Sequence, residues 1–273
     1  LDGIRVVSLA QQYPGPYCTL LLADLGADVL LVERPQVGDP ARGAEGMSPF
    51  FAALNRNKRS IALDLQHEQG RTILWQLLDD ADVLVEGFRP GVMERLGFGP
   101  HEVRSRLPEL VYVSISGYGQ DGPDRLVPGH DLSYVARAGL LAGVEDPVGY
   151  QLPLAIADLS SGTFAALAIL AGIAGRDRTG NGVYIDLSMT EGLVSWMGTA
   201  LEPVLNDRDD PRGSREPAYG TFRCADGHYL TLSIAFEDHF WRSLCAALDM
   251  AEFADLPSPL RRARAEELRK LIA

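Results

Sequence analysis

The chain has 273 residues, 46% of them hydrophobic, with 25 Lys+Arg against 37 Asp+Glu and a net charge of −12. That length suits one large domain or two small ones, and the apolar content is ample for a packed core. The acidic balance argues against a nucleic-acid or anionic-membrane partner, which needs clustered positive charge, but leaves room for a small phosphorylated ligand held by a few local cations. The three cysteines, Cys18, Cys224 and Cys245, are odd in number and irregularly spaced, so neither a disulfide framework nor a zinc site is expected. A reducing cytoplasm is the expected location. No apolar run reaches the ~18 residues of a membrane span, and the longest candidate, Phe164 to Ala174, runs into Arg176-Asp-Arg178. No secretory leader pattern is present. The sequence starts at Leu1 without Met and ends inside a charged helical pattern, which reads as a fragment.

Ile4 to Ala10 reads as a buried strand. Pro14-Gly15-Pro16 opens a helix through Leu20, Leu21 and Leu25, and Gly26 closes it. Val29 to Val32 is a second strand, ended by Glu33-Arg34-Pro35, which completes a β-α-β unit of the usual ~30 residues. Gly38 to Gly46 reads as a surface loop. Asn55 to Arg59 gathers three positive charges ahead of Ser60 to Asp64. An amphipathic helix over Glu68 to Asp80, a strand over Asp82 to Phe88, a helical turn over Val92 to Leu96 and a strand over Leu110 to Ser116 follow. The alternation predicts an α/β domain with a largely parallel sheet, and the near-continuous apolar runs suit strands covered on both faces.

Gly117-Tyr-Gly119-Gln-Asp-Gly122 formally matches a dinucleotide fingerprint. Pro123 and Pro128 stand where that fingerprint would open a helix, so a glycine turn is the reading. A small-residue helix is predicted from Asp158 to the turn at Arg178-Thr-Gly180-Asn-Gly182, then a strand over Val183 to Leu187. Asn206 to Glu216 reads as a linker. Beyond it, Tyr219 to Cys224 and His228 to Ile234 flank Ala225-Asp226-Gly227, a hairpin signal, and Glu237 to Leu248 and Arg261 to Ile272 read as helices. A large domain over residues 1–206 and a smaller α+β domain over 207–273 are therefore expected.

Three features carry the chemistry. Arg34, Lys58, Arg59 and Arg95 are placed at strand ends, where open α/β sheets bind ligands, and arginine suits phosphate; each taken singly is also an ordinary surface charge. His130 and Asp158 bound a stretch poor in other titratable groups. His130 is either a loop histidine satisfied by a carbonyl or a reactive imidazole. Asp158 interrupts an apolar run before a helix, so it is either an N-cap or a reactive carboxylate. Glu237 at a helix start is either a first-turn acid complementing the dipole or a functional group. Neither metal-ligand spacing nor a G-x-S-x-G elbow occurs.

The segments Leu1-Asp-Gly-Ile-Arg-Val-Val7, Leu22-Ala-Asp-Leu-Gly-Ala-Asp-Val29, Val32-Glu-Arg-Pro35, Asn57-Lys-Arg-Ser60, Ala81-Asp-Val-Leu-Val-Glu86, Arg89-Pro-Gly-Val92, Ser116-Gly-Tyr-Gly-Gln-Asp-Gly-Pro123, Gly129-His-Asp131 and Ala157-Asp-Leu159 stand in order along the chain. In these the sequence resembles the class III coenzyme A transferases, a group that includes the 2-methylacyl-CoA racemases. The resemblance implies a Rossmann-like large domain, a small domain and an interlocked homodimer, with the usual C-terminal return to the large domain missing here. It implies a coenzyme A thioester as substrate and no permanently bound cofactor. Arg34 and Arg95 fall on positions that contact the nucleotide end of coenzyme A. Gln12, Lys58, Arg59, Leu63, Phe88 and Asp131 belong to the same implied binding set. Asp158 falls on the reactive aspartate, which in transferases attacks the thioester and in racemases exchanges a proton.

His130 stands where the racemases carry a catalytic histidine, and Tyr13-Pro14-Gly15-Pro16 is also racemase-like. Glu237 falls in the region that supplies a supporting glutamate. Leu159-Ser-Ser-Gly162-Thr163 is closer to the transferases. The expectation is a 2-methylacyl-CoA racemase using His130, assisted by Glu237, on one face and Asp158 on the other, with N–H groups at the helix start after Asp158 stabilising the enolate. The alternatives are a coenzyme A transferase working through an aspartyl-CoA intermediate and an inactive coenzyme-binding relative.

Overall fold

The computed structural model describes residues 1–143, 153–208 and 216–273. Part of the connection between His130 and Asp158, and most of the expected linker, lie outside the described residues. The chain forms two compact units, Leu1–Gly198 and Thr199–Ala273.

The first unit is built on six parallel strands, β1 (Arg5–Ser8), β2 (Asp28–Glu33), β3 (Lys58–Ala62), β4 (Val83–Glu86), β5 (Val111–Ser116) and β6 (Tyr184–Ser188). Their order is β3-β2-β1-β4-β5-β6. The helices are α1 (Pro14–Asp24), α2 (Pro49–Asn55), α3 (Glu68–Asp79), α4 (Val92–Leu96), α5 (Pro100–Arg106), α6 (Asp131–Arg137), α7 (Ile156–Thr179) and α8 (Met189–Trp196). This is a Rossmann-like mixed α/β fold, as expected. α2, α5 and α8 are short, and sequence periodicity does not announce them.

Strand alternation sends side chains into two cores. Val6, Val29, Val85 and Val113 face α1 and α7, whereas Val7, Val32, Leu84 and Tyr112 face α3 and α5. On α3, Leu74 and Leu78 lie one turn apart and are fully buried, each stabilising the fold by about 1.5–3 kcal/mol. α1 packs closely along α7 at Gly162, where a Cβ would lie 2.6 Å from the Pro14 carbonyl oxygen. That approach requires glycine. By length and composition α7 is long and apolar enough to cross a membrane. Its Ala157, Ser161, Gly162, Ala165 and Ile169 are instead buried, so it serves as the core helix of this unit.

The second unit contains α9 (Gly198–Leu205), which begins at its boundary, then β7 (Tyr219–Arg223) and β8 (Tyr229–Ser233), the antiparallel hairpin. α10 (Asp238–Ala247), α11 (Ser258–Ala263) and α12 (Ala265–Ile272) follow, so the helix expected over Arg261 to Ile272 is two, broken near Arg264. Trp241, Cys245 and Leu268 form its core. Beside them lies the Arg261 guanidinium, fully buried and paired with Glu216 and Asp238.

Candidate active site

The strand order reverses between β1 and β4, and a crevice must open at the carboxyl ends of those strands. A recess of about 470 Å³ lies there, lined by Leu9 after β1, Arg34 after β2, Leu63 after β3 and Phe88 after β4, with Val92 and Leu96 from α4. Four expected ligand-contact positions thus fall on or beside one cavity: Arg34, Leu63 and Phe88 in its wall, and Arg95 on the helix that supplies Val92 and Leu96. Arg34 and Arg95 are exposed, and among the described residues neither makes an ion pair. Both guanidinium groups are free to bind an anion.

Lys58 and Arg59 require a correction. They open β3 rather than close it, because the strand begins at Lys58. Arg59 is held by Asp28 at 2.6 Å, at the amino ends of β2 and β3. Lys58 donates to the Pro16 carbonyl and to Asn55 Oδ1, and burial lowers its ammonium to about 7. One cation tethers α1 and the other closes the far edge of the sheet.

Gln12 sits at φ 67° and its N–H donates to both Asp39 oxygens at 3.1 Å. Asp39 is held in turn by Glu33, whose Oε2 accepts the Asp39 N–H at 2.8 Å. The Arg42 guanidinium bonded to Glu33 holds that carboxyl down at about 2, against the opposing effect of burial. A permanently ionised glutamate thereby fixes the loop beside Arg34 and, through Asp39, the Gln12 turn. Sequence reading passed over Glu33 and Asp39, since an acid ending a strand carries no pattern of its own.

The segment that carries His130 meets the start of the helix that carries Asp158 through Asp131. His130 is the N-cap residue of α6 and exposed, without a side-chain cap bond. Tyr134 fixes the preceding turn by donating its hydroxyl to the Gly129 carbonyl at 2.8 Å. Asp131 Oδ1 accepts the N–H groups of Ala157 at 2.6 Å and Asp158 at 3.2 Å. The capping carboxylate of α7 is therefore Asp131, while Asp158 lies in the helix's first turn and Ala155 is the N-cap residue. Two of the N–H groups at this helix start are occupied, and the Leu159 N–H donates to the Ala155 carbonyl at 3.0 Å. These amides are not open to an enolate oxygen, which corrects the expectation for that role.

Asp158 is half-buried, and burial, followed by the Asp131 charge, pushes its carboxyl up to about 7. Tyr13 faces the same charges: burial first, then Asp158, raises its hydroxyl. A separate apolar recess lined by Ile156, Leu159, Thr163 and Trp196 lies on the other side of α7, since Asp158 stands about 200° around the helix from Ile156.

Glu237 belongs to the second unit, as the N-cap residue of α10. Its Oε2 accepts the Ala235 N–H at 3.0 Å, which closes the turn after β8.

A doubly wound parallel sheet with a cation-flanked crevice at its switch point defines the Rossmann-like class of α/β fold. The family model for CoA-transferase family III matches residues 1–273, and the chain belongs to that family. It is 36% identical over 295 residues to a succinyl-CoA:mesaconate CoA-transferase of Haloarcula hispanica, covering 100% of this chain and 74% of the relative. It is 37% identical over 285 residues to an alpha-methylacyl-CoA racemase of Mus musculus, covering 100% of this chain and 71% of that one. Among solved structures, a hypothetical protein (Rv3272) from Mycobacterium tuberculosis superposes with a TM-score of 0.85 at 35% identity, covering 100% of this chain and 78% of the other. A CAIB/BAIF family protein from Brucella suis gives 0.84 at 29%, covering 99% and 76%.

Proposed function

We propose that the protein is an acyl-CoA racemase that inverts a 2-methylacyl-CoA at the carbon next to the thioester. The coenzyme's nucleotide end occupies the recess at the switch point, against Leu63 and Phe88, with its phosphates on Arg34 and Arg95 and Gln12 and Asp131 bordering the path to Asp158. His130 removes the α-proton, and the C–H electron pair moves into the thioester carbonyl to give an enolate. Protonated Asp158 returns a proton to the opposite face, and the two groups exchange roles in the reverse direction. Glu237 keeps the supporting role that the resemblance gives it. A homodimer in the cytoplasm is part of the same reading.

The observation that carries this choice is the pair of hydrogen bonds from the Ala157 and Asp158 N–H groups to Asp131, which tie the segment bearing His130 to the helix bearing Asp158. Burial and the Asp131 charge also lift the Asp158 carboxyl to about 7. A carboxyl poised near neutrality suits proton transfer in both directions. A nucleophile must be ionised, and the same environment works against it. The transferase reading keeps one feature in its favour, the Leu159-Ser-Ser-Gly162-Thr163 sequence after Asp158.

Incubation with a chiral 2-methylacyl-CoA in deuterated water separates the two. Racemisation with deuterium entering the α-carbon is expected. Coenzyme A transfer to an added free acid without α-exchange, together with hydroxylamine trapping at Asp158, would overturn the racemase reading.

A further inference from the structure

Two buried glutamates end strands that border the crevice, Glu33 on β2 and Glu86 on β4. Glu33 is neutralised by Arg42. Among the described residues Glu86 has no such partner. It is 2% exposed, and its Oε2 accepts the Phe88 N–H at 2.8 Å. Phe88 packs on the core beneath α3 and α5 and walls the recess. The Glu86 carboxylate is thus the hydrogen-bond anchor for the turn that carries this ring.

Among the described residues the groups facing Glu86 are Ser114 and Tyr112 on β5, Tyr184 and Asp186 on β6, and Glu94 on α4. The two charged ones are both acids. Ser114 and the Phe88 N–H favour the carboxylate, while burial opposes it more strongly and lifts the group to about 7.

We propose that Glu86 is a positioning residue for coenzyme binding: its ionised carboxylate fixes the Phe88 backbone, and with it the wall of the recess, so that affinity for coenzyme A follows its charge. The inference rests on the reading of the recess as the coenzyme site. An ionised acceptor holds an N–H about twice as strongly as a neutral one. Protonation therefore loosens the Phe88 turn, and the empty recess loses the shape that receives the ligand. Glu33, locked in its ionised form, gives the opposite wall no such response.

The test is calorimetric titration of the full chain with free coenzyme A between pH 6 and pH 8.5. Wild-type affinity is expected to fall about tenfold towards pH 6, the loss of one charge-assisted bond. Because the coenzyme's own phosphate titrates in this range, the readout is the difference between proteins. Glu86→Gln, isosteric and always neutral, should show a clearly shallower slope, with affinity near the wild type's acid value. Glu86→Asp should restore part of the slope. With saturating thioester, kcat of Glu86→Gln should stay within about twofold while KM rises, because the bond acts on binding alone. A Glu86→Gln slope equal to the wild type's, or an equal fall in kcat, overturns this inference alone. Absence of coenzyme A binding to the wild type overturns the site reading, and this inference with it.

Discussion

Asp131 Oδ1 accepts the backbone N–H of Asp158 at 3.2 Å, so the residue beside His130 in sequence holds the start of the helix that carries Asp158. Two segments bearing candidate catalytic groups 28 positions apart are joined by one carboxylate. Asp131 has two separable effects, capping α7 and raising the Asp158 pKa through its charge. Asp131→Asn keeps an acceptor but removes the charge. The Asp158 pKa then falls, and the alkaline limb of turnover in the direction that draws a proton from Asp158 moves to lower pH. Asp131→Ala adds loss of the cap, about 1 kcal/mol of stability. Activity profiles and thermal melts of the two variants check this.

Asp158→Asn should be inactive yet more stable than the wild type at pH 8. The folded carboxyl titrates near 7, above an unfolded aspartate, so the folded state holds more protons between about pH 4 and 7. Stability contributed by this group therefore falls as pH rises through that window. The amide removes the penalty. Melting curves should separate by the equivalent of at most about 4 kcal/mol at pH 8 and converge towards pH 4.

His130→Ala should lower α-deuterium exchange by about 10²–10⁴-fold, the scale of one general base, while leaving coenzyme A affinity near wild type. The ring is exposed and caps nothing through its side chain, so folding should be unaffected. Exchange at the wild-type rate would count against the racemase.

Arg34→Ala and Arg59→Ala should behave oppositely. Arg34 lines the recess and makes no ion pair among the described residues, and its loss should weaken coenzyme A binding about tenfold, less so at high salt. Arg59 is paired with Asp28 at the far end of the strands, and its loss should leave binding unchanged. Titration of both variants at two salt concentrations decides it.

Arg42→Ala strands Glu33 as a buried, unpaired charge and should destabilise the fold by about 2 kcal/mol at pH 7. Glu33's folded pKa is depressed, so its contribution is present above about pH 4.5 and is lost as pH falls towards 2. The gap between variant and wild-type melts should therefore close on acidification.

The sequence alone determined the parallel α/β framework, because continuous apolar runs punctuated by glycine and proline leave few other folds. It also determined the family, carried by ordered local segments, and singled out His130, Asp158 and Arg34 by residue type and position. Tertiary structure decided what each group faces. Lys58 and Arg59 read as strand-end cations, but where β3 starts turns one inward and pairs the other with Asp28. Asp158 read as a possible cap, but Asp131 occupies that role from another helix. Glu86 read only as part of the strand expected over Asp82 to Phe88 and of a family segment, and its burial, with no cation beside it among the described residues, is what gives it a voice in ligand binding. Charge and residue type are written locally; burial and partners arise only when strands distant in sequence close side by side, and these set what a carboxylate does.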